Sequence, residues 1–490
     1  MKSGFGRLTP VLAILLAIVA IGYTASEAGS HAQAERLFLK GDYEGAFKLY
    51  LEPSSTETPG DVELYNAALL AGILGDSSTA KSLFSEAHIL NQSDPNTLYQ
   101  LALLDLSSQD TLGAIAHLNE AVALTGSHIE AMSVLSRLLA EQGNFTLAEN
   151  WAHKALVGDP HSVPGRIAMS NYLELSGRWQ DALKVLDEEI DLFPNSELLI
   201  EAYRISETKA YIIGSRKYLS LYRALFPSGR LTRVSSNDTT LSESATYSSD
   251  SIAMNQSLPT GQRMVFKGSW GPFYLGDLIV EVGMPANVDG KLSIPITYTI
   301  QSNPNLPFIE VSDVYCAYLS PTLNRTLRYE MKVRETWWKY DRYCIMDYAR
   351  GELVQRNVGS DHRIEVHRQE LPVNLVDGTS LLFFARSLVI EHKSARAPTL
   401  IDYDYIWTEI HCEDVRESII IKDTKHDCWV VDGNAGFSGI AGMTGHFKGW
   451  FSTDTLAMPL MASFKILIGS ITLTLDRQEP YVEPGDTSNR

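Results

Sequence analysis

Ala46, Ala80, Ala114, Ala148 and Ala182 recur at an unbroken spacing of 34 residues. A fixed period of that length, with a small side chain at one phase, is the arithmetic of stacked helix–turn–helix units. At that phase the second helix of a unit must lie close against the first, and a larger side chain would force the pair apart. The ladder therefore predicts a helical solenoid for the N-terminal part of the chain. It describes a surface that can hold something and names no reaction.

Other residues keep the same period. Gly41-Asp42-Tyr43, Gly75-Asp76, Gly143-Asn144-Phe145 and Gly177-Arg178-Trp179 precede each ladder alanine by five residues, where glycine ends one helix and a short polar turn starts the next. Tyr50, Phe84, Leu118 and Leu186 follow the alanine by four, and Pro160 and Pro194 close the fourth and fifth units. Leu64 and Ala67, Leu98 and Leu101, and Met132 and Leu135 carry the first-helix cores at helical spacing. This pattern resembles the tetratricopeptide repeat over about residues 27–195. Gln109 stands where the third unit should have its turn glycine, and Asp105 occupies a usual core position. Residues 197–226 read as a degenerate sixth pair, with Arg216 where the ladder expects alanine.

Charge and composition narrow the class of partner. The chain of 490 residues carries a net charge of −18. Residues 27–230 hold 15 basic and 27 acidic residues, and residues 261–490 hold 23 and 29. Acidic surfaces repel phosphate backbones and anionic lipid, so nucleic acid is not an expected partner. Lys2 and Arg7 precede the apolar run Val11 to Ile21, which has the length of a signal peptide core and is short for a membrane span. Residues 1–26 are expected to be a signal peptide or an uncleaved N-terminal anchor, which places the protein in the periplasm or cell envelope. From 228 to 260, 14 of 33 residues are Ser or Thr, so 228–261 reads as a flexible linker that lets two ordered halves reorient.

Past the linker the period changes to two. Leu292, Ile294, Ile296, Tyr298 and Ile300 alternate with Ser293, Pro295, Thr297 and Thr299, and further strand-like runs follow. One helix interrupts them, with Asp377-Gly378-Thr379-Ser380 as its cap and Leu381–Ile390 as its apolar body. The pattern predicts a mostly antiparallel β domain over 262–476, a curved sheet or partly closed barrel with one inserted helix, before a disordered tail at 477–490. Four motifs in order resemble the bacterial family called domain of unknown function 3108. They are Met264–Gly271 with Leu275-Gly276, Arg342–Tyr348 with Gly351-Glu352-Leu353, Asp377–Arg386, and Lys448–Asp454 with Pro459 and Lys465–Ser470. That resemblance implies a fold and a bacterial envelope setting, and it marks Asp377, Ser380 and Arg386 as motif residues of unknown role.

The search for chemistry is largely negative. Cys316, Cys344, Cys412 and Cys428 are an even set for an oxidising compartment, and they read either as two disulfides or as buried thiols. Their spacings fit no zinc site, and no metal or cofactor is expected. The glycine-rich stretch Gly436–Gly445 lacks the strand, helix and lysine of a phosphate loop. Asp361-His362, Arg363, His367 and Arg368 form a polar run expected to be a solvated strand edge. Groove-facing positions of the solenoid hold Tyr65, Tyr99, Arg137 and Asn171, a mixture suited to an extended peptide. His31 and Glu35 stand where a carboxylate clamp would need Lys and Asn, so recognition of that kind is not expected. The reading is a non-catalytic exported scaffold that binds another protein through its groove. A carrier for a lipid or other hydrophobic ligand in the β domain is the alternative, and an enzyme of unknown type comes third.

Overall fold

The computed structural model describes residues 27–52, 58–231, 260–288, 290–306, 310–320, 325–336, 338–373, 375–434, 443–466 and 469–480. Residues 1–26, expected to be a signal peptide or anchor, and most of the Ser/Thr stretch lie outside these residues, as does the glycine-rich segment up to Gly442. The chain divides into two compact units. The first comprises residues up to Gly126 together with Asp361–Ile364, and the second comprises Ser127–Ser360 and the chain from Glu365 onward. This differs from the division expected at 228–261. The later helical repeats and the β strands form one body, and four residues from the β half belong with the early repeats.

In the first unit the helices are α1 (Glu27–Lys40), α2 (Tyr43–Leu51), α3 (Asp61–Ile73), α4 (Ser77–Leu90), α5 (Pro95–Ser107) and α6 (Thr111–Leu124). The second unit continues with α7 (Ile129–Glu141), α8 (Phe145–Gly158), α9 (Val163–Leu175), α10 (Trp179–Ile190), α11 (Ser196–Thr208) and α12 (Ile212–Leu225). Within each pair the turn is built alike. The N–H groups of Asp42, Asp76, Asp110, Asn144, Arg178 and Tyr211 bond the carbonyls five residues earlier at 2.8–2.9 Å. This closure requires a left-handed residue just before each donor. Gly41, Gly75, Gly143 and Gly177 supply it without a Cβ penalty, and Gln109 adopts it at φ 64° because the surrounding closure is the same. Asp42, Asp76 and Asp110 also cap the following helix through their carboxylates, accepting from Gly45, Thr79 and Gly113 N–H at 2.9–3.0 Å.

All five ladder alanines are fully buried. The sixth pair does not break the ladder; it slips by one residue. The left-handed residue is Ala210 and the helix-start residue is Tyr211, each 33 positions after its counterpart. Ser215 therefore takes the ladder position and is 7% exposed, while Arg216 points to solvent. A one-residue deletion in the repeat keeps a small side chain at the contact. Asp105, at the core phase of the third unit, is buried and held by Lys81 Nζ and His117 Nδ1, each at 2.7 Å.

The β strands form one sheet, apart from β3 (Ala286–Val288), which pairs only with β4. Its first meander runs β1 (Gln262–Trp270), β2 (Phe273–Val282), β4 (Lys291–Ser302), β5 (Ser312–Leu319), β6 (Thr326–Arg334), β7 (Lys339–Asp347), β8 (Glu352–Gly359) and β9 (Ile364–Glu370). The second runs β10 (Val376–Asp377), β11 (Ala395–Ile401), β12 (Asp404–Ile421), β13 (Thr424–Asn434), β14 (Met443–Ser452), β15 (Pro459–Ile466) and β16 (Ser470–Pro480). β16 pairs with β1 and joins the two meanders, and it carries order four residues past position 476. From β11 through β16 and on from β1 to β8, neighbouring strands pair antiparallel, whereas β10 and β11 are parallel. At the β1–β2 hairpin, Gly276 (φ 149°) sits at a bulge where a Cβ would stand 2.1 Å from the Gln301 carbonyl. This accounts physically for the glycine of the first β motif.

The sheet does not close into a barrel, since β9 and β10 end it. Side chains cross the gap instead: Arg342 on β7 pairs with Asp402 at 2.5 Å, Gln355 on β8 donates to the Tyr403 carbonyl, and the Tyr403 hydroxyl donates to Glu365. The helix α13 (Leu381–Glu391) fills the trough. Phe383 packs with Met264, Phe266, Val280, Ile296 and Leu319, while Phe384, Leu388 and Val389 pack with Ile410, Val431 and Phe451. The alternation read from 292 to 300 holds at its centre, with Ile294 and Ile296 buried, and fails at its edge, where Leu292 is exposed.

The later repeats are bonded to this sheet within the second unit. The Tyr222 hydroxyl donates to the Glu370 carboxylate, Val373 N–H donates to the Leu225 carbonyl at 2.8 Å, and Arg396 donates to the Asp191 carbonyl at 3.1 Å. Reorientation of the whole solenoid against the whole sheet is thus not available to this half. For the slipped sixth pair, Arg216→Ala is expected to change stability by less than about 0.5 kcal/mol. Ser215→Leu is expected to cost about 1–3 kcal/mol by overpacking. Urea denaturation of both variants checks the register, and equal effects would refute the slip.

Candidate functional site

The groove of the first unit is not empty, because it holds Asp361–Ile364. Asn66 lies on α3, fully buried among Leu64, Tyr65, Ala67 and Ala68. A buried carboxamide needs partners for both ends. Its Nδ2 donates to the His362 carbonyl at 2.9 Å, and its Oδ1 accepts the Ile364 N–H at 3.1 Å. One side chain thereby brackets the backbone on either side of Arg363, as a neighbouring strand would.

Arg363 is held by three groups. Its Nη1 donates to Asp94 Oδ1 at 2.7 Å, its guanidinium carbon stands 4.9 Å from the Tyr65 ring centroid, and Asp61 lies 4.0 Å from Nη2. Asp94 is placed there by its second task as the cap of α5, where it accepts from Asn96 and Thr97 N–H. Burial alone would push the Asp94 carboxyl up, but the Arg363 and Thr97 hydrogen bonds outweigh it, so Asp94 titrates below the usual carboxylate range. His362, with left-handed φ of 64°, turns its Nδ1 to within 2.7 Å of Glu35 on α1. Ile364 is fully buried. Three successive first helices supply the acidic and amide contacts: Glu35 from α1, Asn66 and Asp61 from α3, and Asp94 from the cap of α5. The chemistry is that of a receptor for backbone and a cation.

The residues expected in the groove divide between the two units. Tyr65 and Tyr99 belong to the first, where Tyr65 packs edge-on to Phe84 and lies under Arg363, and Tyr99 is half-buried. Arg137 and Asn171 belong to the second, and each is engaged by its own helix. Arg137 pairs with Glu141 at 2.9 Å, and Asn171 donates to the Ile167 carbonyl at 2.9 Å. Asn66, Asp94, Asp61 and Glu35 were missed as a set. A single amide inside the apolar run Leu64–Ala68 was the one local signal for it. The polar run at 361–368 is corrected too: its first four residues are the groove's contents rather than a solvated edge.

Asp377 closes the turn that leads into α13, whose N-cap is Ser380, and is fully buried. It accepts from Thr379 and Ser380 N–H at 2.9 and 3.0 Å, from both their hydroxyls, and from Thr326 Oγ1. Ser380 Oγ in turn accepts the Asp377 N–H. Arg386 bonds the Leu456 carbonyl through Nε at 2.8 Å, and burial lowers its pKa from the ordinary value. That bond goes to main chain, so the apolar identity of Leu456 does not weaken it.

The four cysteines are free thiols, which corrects the disulfide reading. Cys316 and Cys344 lie on β5 and β7 with β6 between them, about two strand spacings apart, beyond the Cα reach of a disulfide. Cys412 and Cys428 are on paired strands but out of register, opposite Val431 and Glu417. Burial pushes the Cys344 thiol up to about 12. Beside α13 lies a cavity of about 160 Å³, lined by Phe266, Tyr298, Leu382, Phe447, Phe464 and Leu473 among others. The Tyr298 hydroxyl is buried there without a hydrogen-bond partner. No group of metal-ligating residues occurs among the described residues, and none of the described helices is long and apolar enough to cross a membrane.

The helices repeat as pairs, and solved structures of tetratricopeptide repeat proteins are similar to them in fold. PilW, a type IV pilus biogenesis factor, is 16% identical, with a TM-score of 0.38 over 43% of this chain and 98% of its own. A tetratricopeptide repeat protein from Parabacteroides merdae is 16% identical, with a TM-score of 0.35 over 40% and 78%. A thermophilic repeat protein of Thermus thermophilus is 19% identical, with a TM-score of 0.31 over 34% and 90%. These likenesses concern the fold alone. No family model and no curated protein matches the sequence.

Asp94→Asn keeps the helix cap and removes the charge opposite Arg363. It is expected to destabilise the first unit by about 2–3 kcal/mol at pH 7, because a largely buried cation loses its partner. The depressed Asp94 pKa contributes stability above the ordinary carboxylate pKa and loses it as pH falls through the lower folded value. The gap between wild type and variant should therefore close as pH falls below the ordinary carboxylate range. Chemical denaturation across pH, with hydrogen exchange at 361–364, measures this; a gap that is independent of pH would refute it.

Proposed function

We propose that this chain is a non-catalytic scaffold that holds a segment of another protein in the groove of its early repeats. One observation carries the reading: the groove already holds a short turn of polypeptide by its backbone, through Asn66, and by a side chain, through Asp94 and Tyr65. The proposed setting is the bacterial cell envelope, supported by the charged and apolar N-terminus and by the resemblance of the β motifs to domain of unknown function 3108. The β half then serves as the rigid body to which the later repeats are bonded.

A photo-crosslinking residue in place of Tyr99, compared with one at the exposed Ile89, tests the scaffold in cells that express the chain. A defined protein captured at position 99 and not at 89 is the expected outcome. Identical capture at both positions, or none, would count against it.

The cavity beside α13 supports a second, narrower reading, in which the β domain binds a hydrophobic ligand. At about 160 Å³ it matches cavities that take up benzene, so it accommodates roughly six carbons and no whole lipid. The unpartnered Tyr298 hydroxyl favours a neutral ligand bearing one acceptor. Millimolar cyclohexanone, six carbons with one acceptor, should raise the Tm of the wild-type chain and leave Ala385→Leu, which fills the cavity, unmoved. No shift in wild type would exclude this binding site.

A further inference from the structure

We infer that the groove of the first unit is specific for an arginine carried in a short turn, and that Asp361–Ile364, the turn between β8 and β9, is a resident occupant which a partner's arginine-bearing segment displaces. The inference rests on the scaffold reading and names the chemistry of the partner.

Recognition here is local to three residues. Asn66 reads the carbonyl before the arginine and the N–H after it, groups that every non-proline residue carries, so it demands that both be turned toward α3 and sets no particular neighbours. Tyr65 and Asp94 read the side chain between them, with a ring face for a planar cation and a carboxylate at 2.7 Å, and Asp61 adds a second negative charge. A planar guanidinium satisfies ring and carboxylate together, which a lysine ammonium does less well. Glu35 extends the acidic lining toward the residue before the arginine. An acidic partner segment is repelled at every one of these positions.

The resident segment fits imperfectly. Arg363 Nε is buried with no hydrogen-bond partner among the described residues, the Asp361 carboxylate standing 3.7 Å away, and the Nη2 contact to Asp61 is long at 4.0 Å. His362 remains 64% exposed, and Ile364 is the one fully buried apolar residue of the four. Such a short polar segment stays in place because it is tethered, and a tether supplies an effective concentration on the order of millimolar. A partner segment that also engages Nε and both acidic groups overcomes that advantage at ordinary concentrations. The same tether keeps weakly matched sequences out, so the occupant sets a threshold for binding.

The test uses the full chain and a fluorescent peptide of residues 359–366, read by anisotropy. Arg363→Ala in the protein empties the space between Tyr65 and Asp94 and leaves the resident turn held by Asn66 and Glu35 alone, so it should bind the peptide at least tenfold more tightly than wild type does. Adding Asp94→Asn, or replacing the peptide's arginine by alanine, should reverse the gain by at least tenfold; lysine in the peptide should fall between. Asn66→Ala in the Arg363→Ala background serves as a second variant, and circular dichroism confirms that each protein is folded. No binding to the Arg363→Ala protein, or binding indifferent to Asp94 and to the peptide's arginine, overturns the inference. A partner still crosslinked at position 99 in that case would leave the scaffold standing and remove only its arginine specificity. Loss of both results would remove the two together.

Discussion

The helices of this protein can stack only because one side chain per repeat is small enough to let the backbones meet. Alanine at that contact, and serine in the sixth pair, sets the separation of second helix from first. The left-handed closure of each turn then places the next cap at a constant phase. Asp94 and Asn66 owe their positions to this regularity. Each sits on or at the start of a first helix, and the repeat brings α1, α3 and α5 side by side on one surface. A binding groove follows from the packing rule with no dedicated loop.

The sheet answers a different constraint. Two meanders joined at β1 and β16 leave a concave apolar face that water cannot be allowed to wet, and α13 covers it with Phe383 on one flank and Phe384, Leu388 and Val389 on the other. Asp377 holds the helix start in this setting because five donors converge on its carboxylate. The motif residues of the β half thus have structural work that accounts for them. The small cavity beside α13 is where that filling is incomplete.

Much of this was legible in the sequence. The ladder located the repeats, Asp377–Ser380 located the cap, and alternation located Ile294 and Ile296 at the core. Failures have physical reasons. Arg216 looked like a broken ladder because a one-residue slip is invisible unless the left-handed turn residue is known to be Ala210 rather than residue 211. The cysteines looked pairable because spacing along the chain does not report which strands intervene. Arg137 and Asn171 occupied the expected phase, yet a nearer partner on the same helix took each side chain.

By itself the sequence determined what repeats locally: helix pairs, their caps, the small contact residue, and the switch to a two-residue period. These depend on neighbours within a few positions, so pattern suffices. Only the tertiary structure decided that Asn66 and Arg363, nearly 300 residues apart, share one site, and that the later repeats and the sheet are a single body. A polar run such as Asp361–Ile364 reads the same whether it meets water or an acidic groove. Which of the two it meets is decided by what the fold brings beside it.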